Sequence, residues 1–191
     1  ITSPLYFISD NHFQIDTDDD EANRRNLLVL LFKEIEEAKG TLIIGGDFLD
    51  FWYDYQYNPI SSYDDLFSEL KKLSSKGVNI HYLLGNHDYW DFGFFNNKFN
   101  ATIYTNELII KTNGSTIKLM HGDGILKEDV LYRIFRYIIR SKICIALFSL
   151  IPSRIGCKIA KIISQTAHRE YFENKKIKKK LYNYAKENVW N

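Results

Sequence analysis

Four short polar motifs constrain the fold of this chain most, because each follows directly after an apolar, strand-like run. The apolar runs lie at residues 5–8, 42–44, 80–84 and 117–120. The motifs that follow them are Asp10-Asn11-His12, Gly46-Asp47-Phe48-Leu49-Asp50, Gly85-Asn86-His87-Asp88 and His121-Gly122-Asp123. Buried strands that end in Asp, His and Asn place oxygen and nitrogen atoms at one edge of a sheet, where α/β proteins build their sites. The sequence therefore predicts a functional site at such an edge.

The order of apolar runs and capping residues predicts an α/β fold. We expect strands at residues 5–9, 41–45 and 78–84. We expect one helix from the acidic residues 18–21 to about Lys39, with Gly40 as its C-cap, and a second that Ser61 or Ser62 caps and that ends near Gly77. This order favours parallel strands covered by helices.

The pattern changes in the second half of the chain. Asn113-Gly114 stands between two apolar runs, at residues 107–112 and 116–120, and this is typical of a β-hairpin. We therefore expect antiparallel strands to continue the sheet system. From about Glu128 onward the sequence predicts only helices.

The net charge of +1 hides an asymmetry between the two parts of the chain. Residues 1–124 carry 10 Lys and Arg against 19 Asp and Glu, whereas residues 125–191 carry 15 against 5. The first part is suited to holding cations and the second to meeting an anionic partner.

One helix of the basic part has two contrasting faces. Its apolar face consists of Leu131, Ile134, Phe135, Ile138 and Ile139, and its basic face of Arg133, Arg136 and Arg140. Two interpretations stay open. The helices pack their apolar faces together as a hairpin, or they form a basic, apolar cap that accepts lipid chains or rests on an anionic membrane surface.

The residue types in the motifs suit a centre of two divalent metal ions. Such a pair needs a bridging carboxylate and a mixture of oxygen and imidazole ligands. Asp47 is the natural bridge because its carboxylate has two oxygens. Asp10 and His12, two residues apart on a segment expected to be extended, would reach one metal, while Asn86 and His121 would serve the second.

The same motifs supply candidate catalytic groups. His87 adjoins the predicted ligand Asn86 and would protonate a leaving oxygen or stabilise the charge that develops on it. We therefore take His87, Asn86 and Asp47 as the catalytic set. Asp50 is expected to orient a ligand or cap a loop. His81, inside a strand, is expected to be packed or hydrogen-bonded.

With these motifs in this order, the chain resembles the calcineurin-like metallophosphoesterases. Their pattern is D-x-H, G-D-x-x-D, G-N-H-D/E, H and G-H-x-H, and all but the last occur here. The resemblance implies an αββα sandwich with a helical cap insertion, a metal-bridging role for Asp47, and a metal-dependent hydrolase.

Within that family, residues 46–52, 86–90 and 121–124 are similar to the UDP-2,3-diacylglucosamine pyrophosphatases of lipid A synthesis. This resemblance implies two divalent ions, preferably Mn²⁺, and cleavage of the substrate's pyrophosphate to UMP and 2,3-diacylglucosamine 1-phosphate. It also implies a peripheral position on the cytoplasmic face of a Gram-negative-type inner membrane, whose surface is anionic. Its implied substrate contacts are Asp123, Ser164, His168 and Arg169.

Two departures from the pattern bear on function. His87 stands where lipid A members carry Arg, which leaves open a broader phosphodiesterase or phosphatase acting on soluble substrates. No Gly-His-x-His occurs, so we expect a truncated sequence, and a non-catalytic, membrane-associated relative is the further alternative. The expected domains are a core at residues 1–124, a cap at 125–170 and a returning helix at 171–191. No nucleic-acid partner is expected.

Overall fold

The computed structural model describes residues 4–55, 59–112, 115–171 and 175–189, and within these ranges it leaves the side chains of residues 112, 163–171, 175–176 and 188–189 undescribed. The chain divides into two compact units, Ile1–His121 and Gly122–Asn191. The predicted boundaries of a core, a cap and a returning helix stay predictions.

The first unit is built on a parallel sheet. Its strands are β1 (Leu5–Ile8), β2 (Thr41–Ile44), β3 (Asn79–Leu83) and β4 (Thr102–Tyr104), paired in that order. Ile8 pairs with Ile44, and Ile44 pairs with Tyr82, so the first three strands end close to one another. This register brings the loops that carry the first three motifs to the same edge.

Helices α1 (Asp19–Glu37) and α2 (Asp64–Ser75) connect these strands. Because crossovers between parallel strands are right-handed, both helices lie on the same face of the sheet. The side chain of Asp18 accepts a hydrogen bond from the backbone N–H of Glu21 (2.8 Å) and caps α1. The predicted mixed α/β fold with parallel strands is confirmed.

The helix ends differ in detail from the prediction. The left-handed residue after α1 is Lys39 (φ 50°), not Gly40. Gly40 instead lies against the ring of Tyr6, where a Cβ atom would be 2.7 Å from a ring carbon. Ser61 belongs to a short 3₁₀ turn, Ser61–Tyr63, and α2 begins after it without a side-chain cap.

An antiparallel pair forms the second sheet. Strands β5 (Leu108–Thr112) and β6 (Ser115–Leu119) pair from Leu108 with Leu119 to Thr112 with Ser115. The predicted hairpin strands are confirmed, while the turn residues Asn113 and Gly114 lie outside the described residues. Ile43 of β2 packs in one buried cluster with Leu108 and Ile110 of β5, so the two sheets share a core.

Helix α3 (Phe94–Phe99) and strand β4 are elements that the sequence did not predict. The helix has only six residues and is rich in aromatic side chains, so no helical period distinguishes it. Its rings fill the core, as Phe95 stacks on Tyr82 at 4.6 Å and Trp52 lies 4.7 Å from Phe94 between ring centroids.

All regular elements in the described residues of the second unit are helices, as predicted. Its helices are α4 (Val130–Ile139), α5 (Lys142–Ser149), α6 (Ser153–Tyr171) and α7 (Lys175–Val189). No residue of α4 or α5 is buried, and Leu131 on the predicted apolar face is 84% exposed. Of the two interpretations left open by the sequence, this exposure speaks against a hairpin that buries the apolar face of α4, and the lipid-accepting cap stays a prediction. In the described part of the chain, no helix has the length and apolar character needed to cross a bilayer.

Candidate metal centre

The loop after β1 runs beside the loop after β2. The backbone N–H of Asp10 donates to the carbonyl of Gly46 (3.0 Å), and that of His12 donates to the carbonyl of Asp47 (2.9 Å). Asp10, His12 and Asp47 all have left-handed backbone, with φ between 46° and 52°. The expected extended segment at Asp10 and His12 is therefore wrong. Such backbone costs about 1–3 kcal/mol per residue and persists only where the surroundings hold it.

Asp47 lies at the centre of the predicted ligands and is almost fully buried. Its Oδ2 atom is 3.2 Å from Nε2 of His121, 3.8 Å from Nε2 of His12 and 4.0 Å from Nε2 of His87. Its Oδ1 atom accepts a hydrogen bond from the backbone N–H of His87 (2.8 Å). One oxygen of Asp47 thus faces three imidazoles, while the other is held by the backbone.

The side chains that meet at Asp47 form two potential ligand groups. His12, Asp47 and His87 make one group, and Asp10, Asp47 and His121 make the other, with the ligand atoms of each within 4.8 Å of one another. Asp47 belongs to both groups. Asp10 and His12, which we expected to share one metal, fall into different groups.

His121 directs its Nε2 atom toward its group. Its Nδ1 atom lies 3.1 Å from the carbonyl oxygen of Gly45, which can only accept, so Nδ1 carries the proton. Its Nε2 atom is 3.1 Å from Oδ1 of Asn86 and 3.2 Å from Oδ2 of Asp47. An imidazole nitrogen, an amide oxygen and a carboxylate oxygen that converge in this way suit a divalent cation.

Asp50 contacts two neighbouring histidines, and its expected role in orienting a ligand stays a prediction. Its carbonyl oxygen lies 2.5 Å from Nδ1 of His87, which fixes the proton on that nitrogen and turns Nε2 toward Asp47. Its carboxylate is 3.8 Å from His87 and 3.9 Å from His12. The two rings meet edge to face, 4.6 Å apart. The expected hydrogen bond of His81 is also present, to the hydroxyl of Tyr104 (3.0 Å).

Two glycines make room for this cluster. A Cβ atom on Gly85 would overlap the carboxylate of Asp47, and one on Gly46 would lie 2.5 Å from Nδ1 of His121. Gly46 also has φ of 99°, which favours glycine. Glycine is therefore required before Asp47 and before Asn86, because the backbone there passes close to the side chains of His121 and Asp47.

Asp88 supports the centre, a role that was not predicted from the sequence motifs. It is completely buried, and it accepts hydrogen bonds from the N–H groups of Gly85 (2.7 Å) and Phe48 (2.9 Å) and from the hydroxyl of Tyr82 (2.6 Å). Asp88 thereby joins the loops after β2 and β3. Its position after Asn86-His87 was the signal that would have found it.

The two buried carboxylates of the centre differ in acidity. Burial raises the pKa of Asp88 to about 6, and the nearby charge of Asp47 adds to this. Burial also raises the pKa of Asp47, but the hydrogen bond and charge of His121 outweigh it and lower that pKa to about 2. Asp47 is therefore the carboxylate that stays ionised, as a bridging ligand must.

The predicted substrate contacts belong to the second unit. Oδ2 of Asp123 lies 3.2 Å from Nε of Arg136, from NH2 of Arg140 and from the hydroxyl of Tyr132. The side chains of Ser164, His168 and Arg169 lie outside the described residues. Contact of these four residues with a substrate stays a prediction.

Comparison with known proteins places the chain in a family. The family profile described as calcineurin-like phosphoesterase matches residues 3–161. The chain belongs to this family. The expected class, a metal-dependent hydrolase, is confirmed at the level of the family, and the donor set described above fits the divalent metals that this class uses.

Several curated relatives carry the name UDP-2,3-diacylglucosamine hydrolase. The protein from Porphyromonas gingivalis is 27% identical over 139 residues, which cover 70% of this chain and 53% of the relative. The Haemophilus influenzae protein is 29% identical over 167 residues, 86% of this chain and 68% of the relative. The chain thus spans about half the length of the first of these relatives.

One solved structure, of a protein of unknown function from Aquifex aeolicus, is also similar. It is 21% identical, has a TM-score of 0.39 and covers 71% of this chain and 70% of its own. At this level the likeness supports no argument about function.

Proposed function

We propose that this phosphoesterase is a two-metal pyrophosphatase that cleaves UDP-2,3-diacylglucosamine to UMP and 2,3-diacylglucosamine 1-phosphate, in lipid A biosynthesis. The observation that carries the proposal is the membership of Asp47 in two groups of potential metal ligands. The relatives named UDP-2,3-diacylglucosamine hydrolase support the choice of substrate.

The proposed ligands are Asp10, His12, Asp47, Asn86 and His121, with Mn²⁺ as the preferred ion. Two such ions would polarise the phosphoryl group and lower the pKa of the attacking water. In the metal-free protein Asp47 is already ionised, because the hydrogen bond and charge of His121 lower its pKa. The carbonyl of Gly45 holds the proton of His121 on Nδ1 and so turns Nε2 toward Asp47.

His87 is the proposed acid. The carbonyl of Asp50 accepts the hydrogen bond from Nδ1, so in the protonated ring Nε2 is the atom that would give its proton to the leaving oxygen. The backbone N–H of His87 also donates to Asp47, which links the acid to the bridging carboxylate. Asn86, the preceding residue, presents its amide oxygen to His121.

The second unit supports a lipid-linked, anionic substrate. Helices α4 and α5 expose large apolar side chains, among them Leu131, Ile138 and Ile143. Residues 125–191 carry 15 Lys and Arg against 5 Asp and Glu. Acyl chains suit the apolar face, and phosphates or an anionic membrane surface suit the basic residues. A peripheral position on the cytoplasmic face of the inner membrane is part of the proposal.

The test is UMP release from UDP-2,3-diacylglucosamine with Mn²⁺, beside hydrolysis of the soluble diester bis(p-nitrophenyl) phosphate. UMP release from the lipid nucleotide at a rate well above diester hydrolysis is expected. Hydrolysis of the diester alone would overturn the lipid assignment and favour a broader phosphodiesterase with His87 as its acid. No turnover of either substrate would favour the non-catalytic alternative.

The role of the helices is tested by Leu131→Ser combined with Ile138→Ser. Because burying such a side chain against an acyl chain is worth roughly 1.5–3 kcal/mol, turnover of the lipid nucleotide should fall by about 10-fold or more, with the diester unaffected. Leu27→Ser with Leu30→Ser is the matched control, since both leucines are exposed on α1. An equal loss in the control pair would contradict a specific role of α4.

A further inference from the structure

A buried charge cluster lies in the first turns of α1, away from the residues assigned above. The side chain of Glu21 is 1% exposed, and its oxygens lie 2.7 Å from NH1 of Arg24 and 2.9 Å from Nε of Arg25. Arg25 is 7% exposed and Arg24 41%. Buried charges are costly to bring out of water, so their retention here calls for a reason beyond stability.

The cluster contacts the backbone of the loop after β1. Oε1 of Glu21 accepts a hydrogen bond from the N–H of Gln14 (3.0 Å), and Arg25 donates to the carbonyl of the same residue. Arg24 donates through NH2 to the carbonyl of Asn11. Its guanidinium also lies over the ring of Phe13, 5.1 Å from the centroid. These contacts fall on both sides of His12.

The contacted loop is the one with left-handed backbone at two proposed ligands, Asp10 and His12. Its other side is held by hydrogen bonds to the loop after β2. The carbonyls of Asn11 and Gln14 instead accept hydrogen bonds from α1. The loop is therefore held on one side by the loop after β2 and on the other by Glu21, Arg24 and Arg25, which we call the clamp. A strained segment persists only when its surroundings hold it in this way.

The cluster is itself anchored to a second helix. NH1 of Arg25 donates to the carbonyl of Ser62 (3.1 Å) and to Oδ1 of Asp65 (2.8 Å), at the start of α2. The loop is therefore tied through Arg25 to two helices that cover the sheet. The position of Arg25 is therefore itself fixed by hydrogen bonds to a second helix.

We propose that Glu21, Arg24 and Arg25 are positioning residues, which hold the backbone of residues 10–14 in the conformation that presents Asp10 and His12 to metal. The inference rests on the proposed function only for its statement that these two residues bind metal. The clamp itself acts in the metal-free protein. Partners that orient ligands in this way typically contribute about 10- to 100-fold to metal affinity.

The test variant is Arg24→Met in the full chain, because Arg24 is the most exposed member of the cluster. Lys33→Met is the matched control, with the same loss of charge at an exposed position on the same helix. Calorimetric titration measures Mn²⁺ affinity and stoichiometry. Amide hydrogen exchange of residues 10–14 is measured in metal-free protein, and the unfolding temperature is measured for each variant. Glu21→Gln, with Glu36→Gln on α1 as its control, repeats the comparison at the buried carboxylate.

The expected result for Arg24→Met is Mn²⁺ affinity lower by about 10-fold or more and faster exchange of residues 10–14. Its unfolding temperature should match that of Lys33→Met. Affinity and exchange equal to those of the control would overturn the inference. A wild-type protein that binds no Mn²⁺ would instead contradict the proposed function, and the exchange rates of the loop would still decide the clamp.

Discussion

The two units of this chain differ in which side chains they bury and which they expose. In the unit Ile1–His121, charged and polar side chains are buried at the sheet edge and meet at fixed distances, with Asp47 and Asp88 nearly or completely inaccessible. In the unit Gly122–Asn191, large apolar side chains such as Leu131 and Ile143 are exposed. Each arrangement is costly by itself. A buried polar centre and an exposed apolar face are the two departures from ordinary folding that indicate function.

The difference matches the two proposed partners, metal ions for the first unit and a lipid for the second. A centre for small, hard ions needs ligands held within a fraction of an ångström, and only buried, hydrogen-bonded side chains provide this. A surface for lipid chains needs exposed area rather than fixed geometry. The substitutions below test this contrast.

Asp47→Ala carries the largest expected effect. It removes the oxygen that three imidazoles face, so binding of two Mn²⁺ ions should be lost and kcat/KM should fall by on the order of 10³-fold, or about 4 kcal/mol. Calorimetric titration and the UMP assay measure these effects. Two ions bound at wild-type affinity would remove Asp47 from its bridging role.

Asp88→Ala should destabilise the first unit without touching a proposed ligand directly. It leaves two N–H groups and the hydroxyl of Tyr82 without their buried acceptor, at a cost of about 3–5 kcal/mol in the free energy of unfolding. Tyr82→Phe, which removes one of these bonds, should cost only about 1 kcal/mol. Denaturant unfolding of the metal-free proteins measures both, and equal losses would show that Asp88 does not join the loops.

The same substitution, Ile to Ala, compares how much one side chain contributes to stability in each unit. Ile44→Ala in β2 removes a side chain with 0% exposure and should lower the free energy of unfolding by about 2–5 kcal/mol. Ile138→Ala in α4, at 54% exposure, should change it by less than about 0.5 kcal/mol. Thermal or denaturant unfolding measures both values. Similar losses at the two positions would mean that the face of α4 is covered in solution.

His81 gives the smallest expected effect. Burial lowers its pKa, so the folded protein prefers the neutral ring while the unfolded chain takes up a proton below about pH 6.5. Stability should therefore be fully present above that pH and fall slightly as the pH drops through it. His81→Gln should flatten this part of the profile. An unchanged profile of unfolding temperature against pH would assign the dependence to other groups.

The positions of the ligand-bearing loops were predictable from the sequence. Strand ends are encoded locally, by a short apolar run followed by Asp, Asn or His, and the parallel register then brings the ends together. The pairing of Ile8 with Ile44, and of Ile44 with Tyr82, agrees with that prediction. The helical second unit was predictable for the same reason, because its apolar residues repeat with the period of a helix.

Other features depended on contacts between residues far apart in the chain, so no local pattern contains them. His121 meets Asn86 across 35 residues, and Asp88 meets Phe48 across 40. The left-handed backbone of Asp10 and His12 follows from the loops and helix that hold it, not from their own preferences. The exposure of Leu131 is likewise not contained in its local sequence, whose helical period fits a buried face equally well. The sequence by itself thus determined the kinds of side chain at the candidate site and the sheet edge where they gather. Only the tertiary structure decided which atoms face one another, because packing makes that choice.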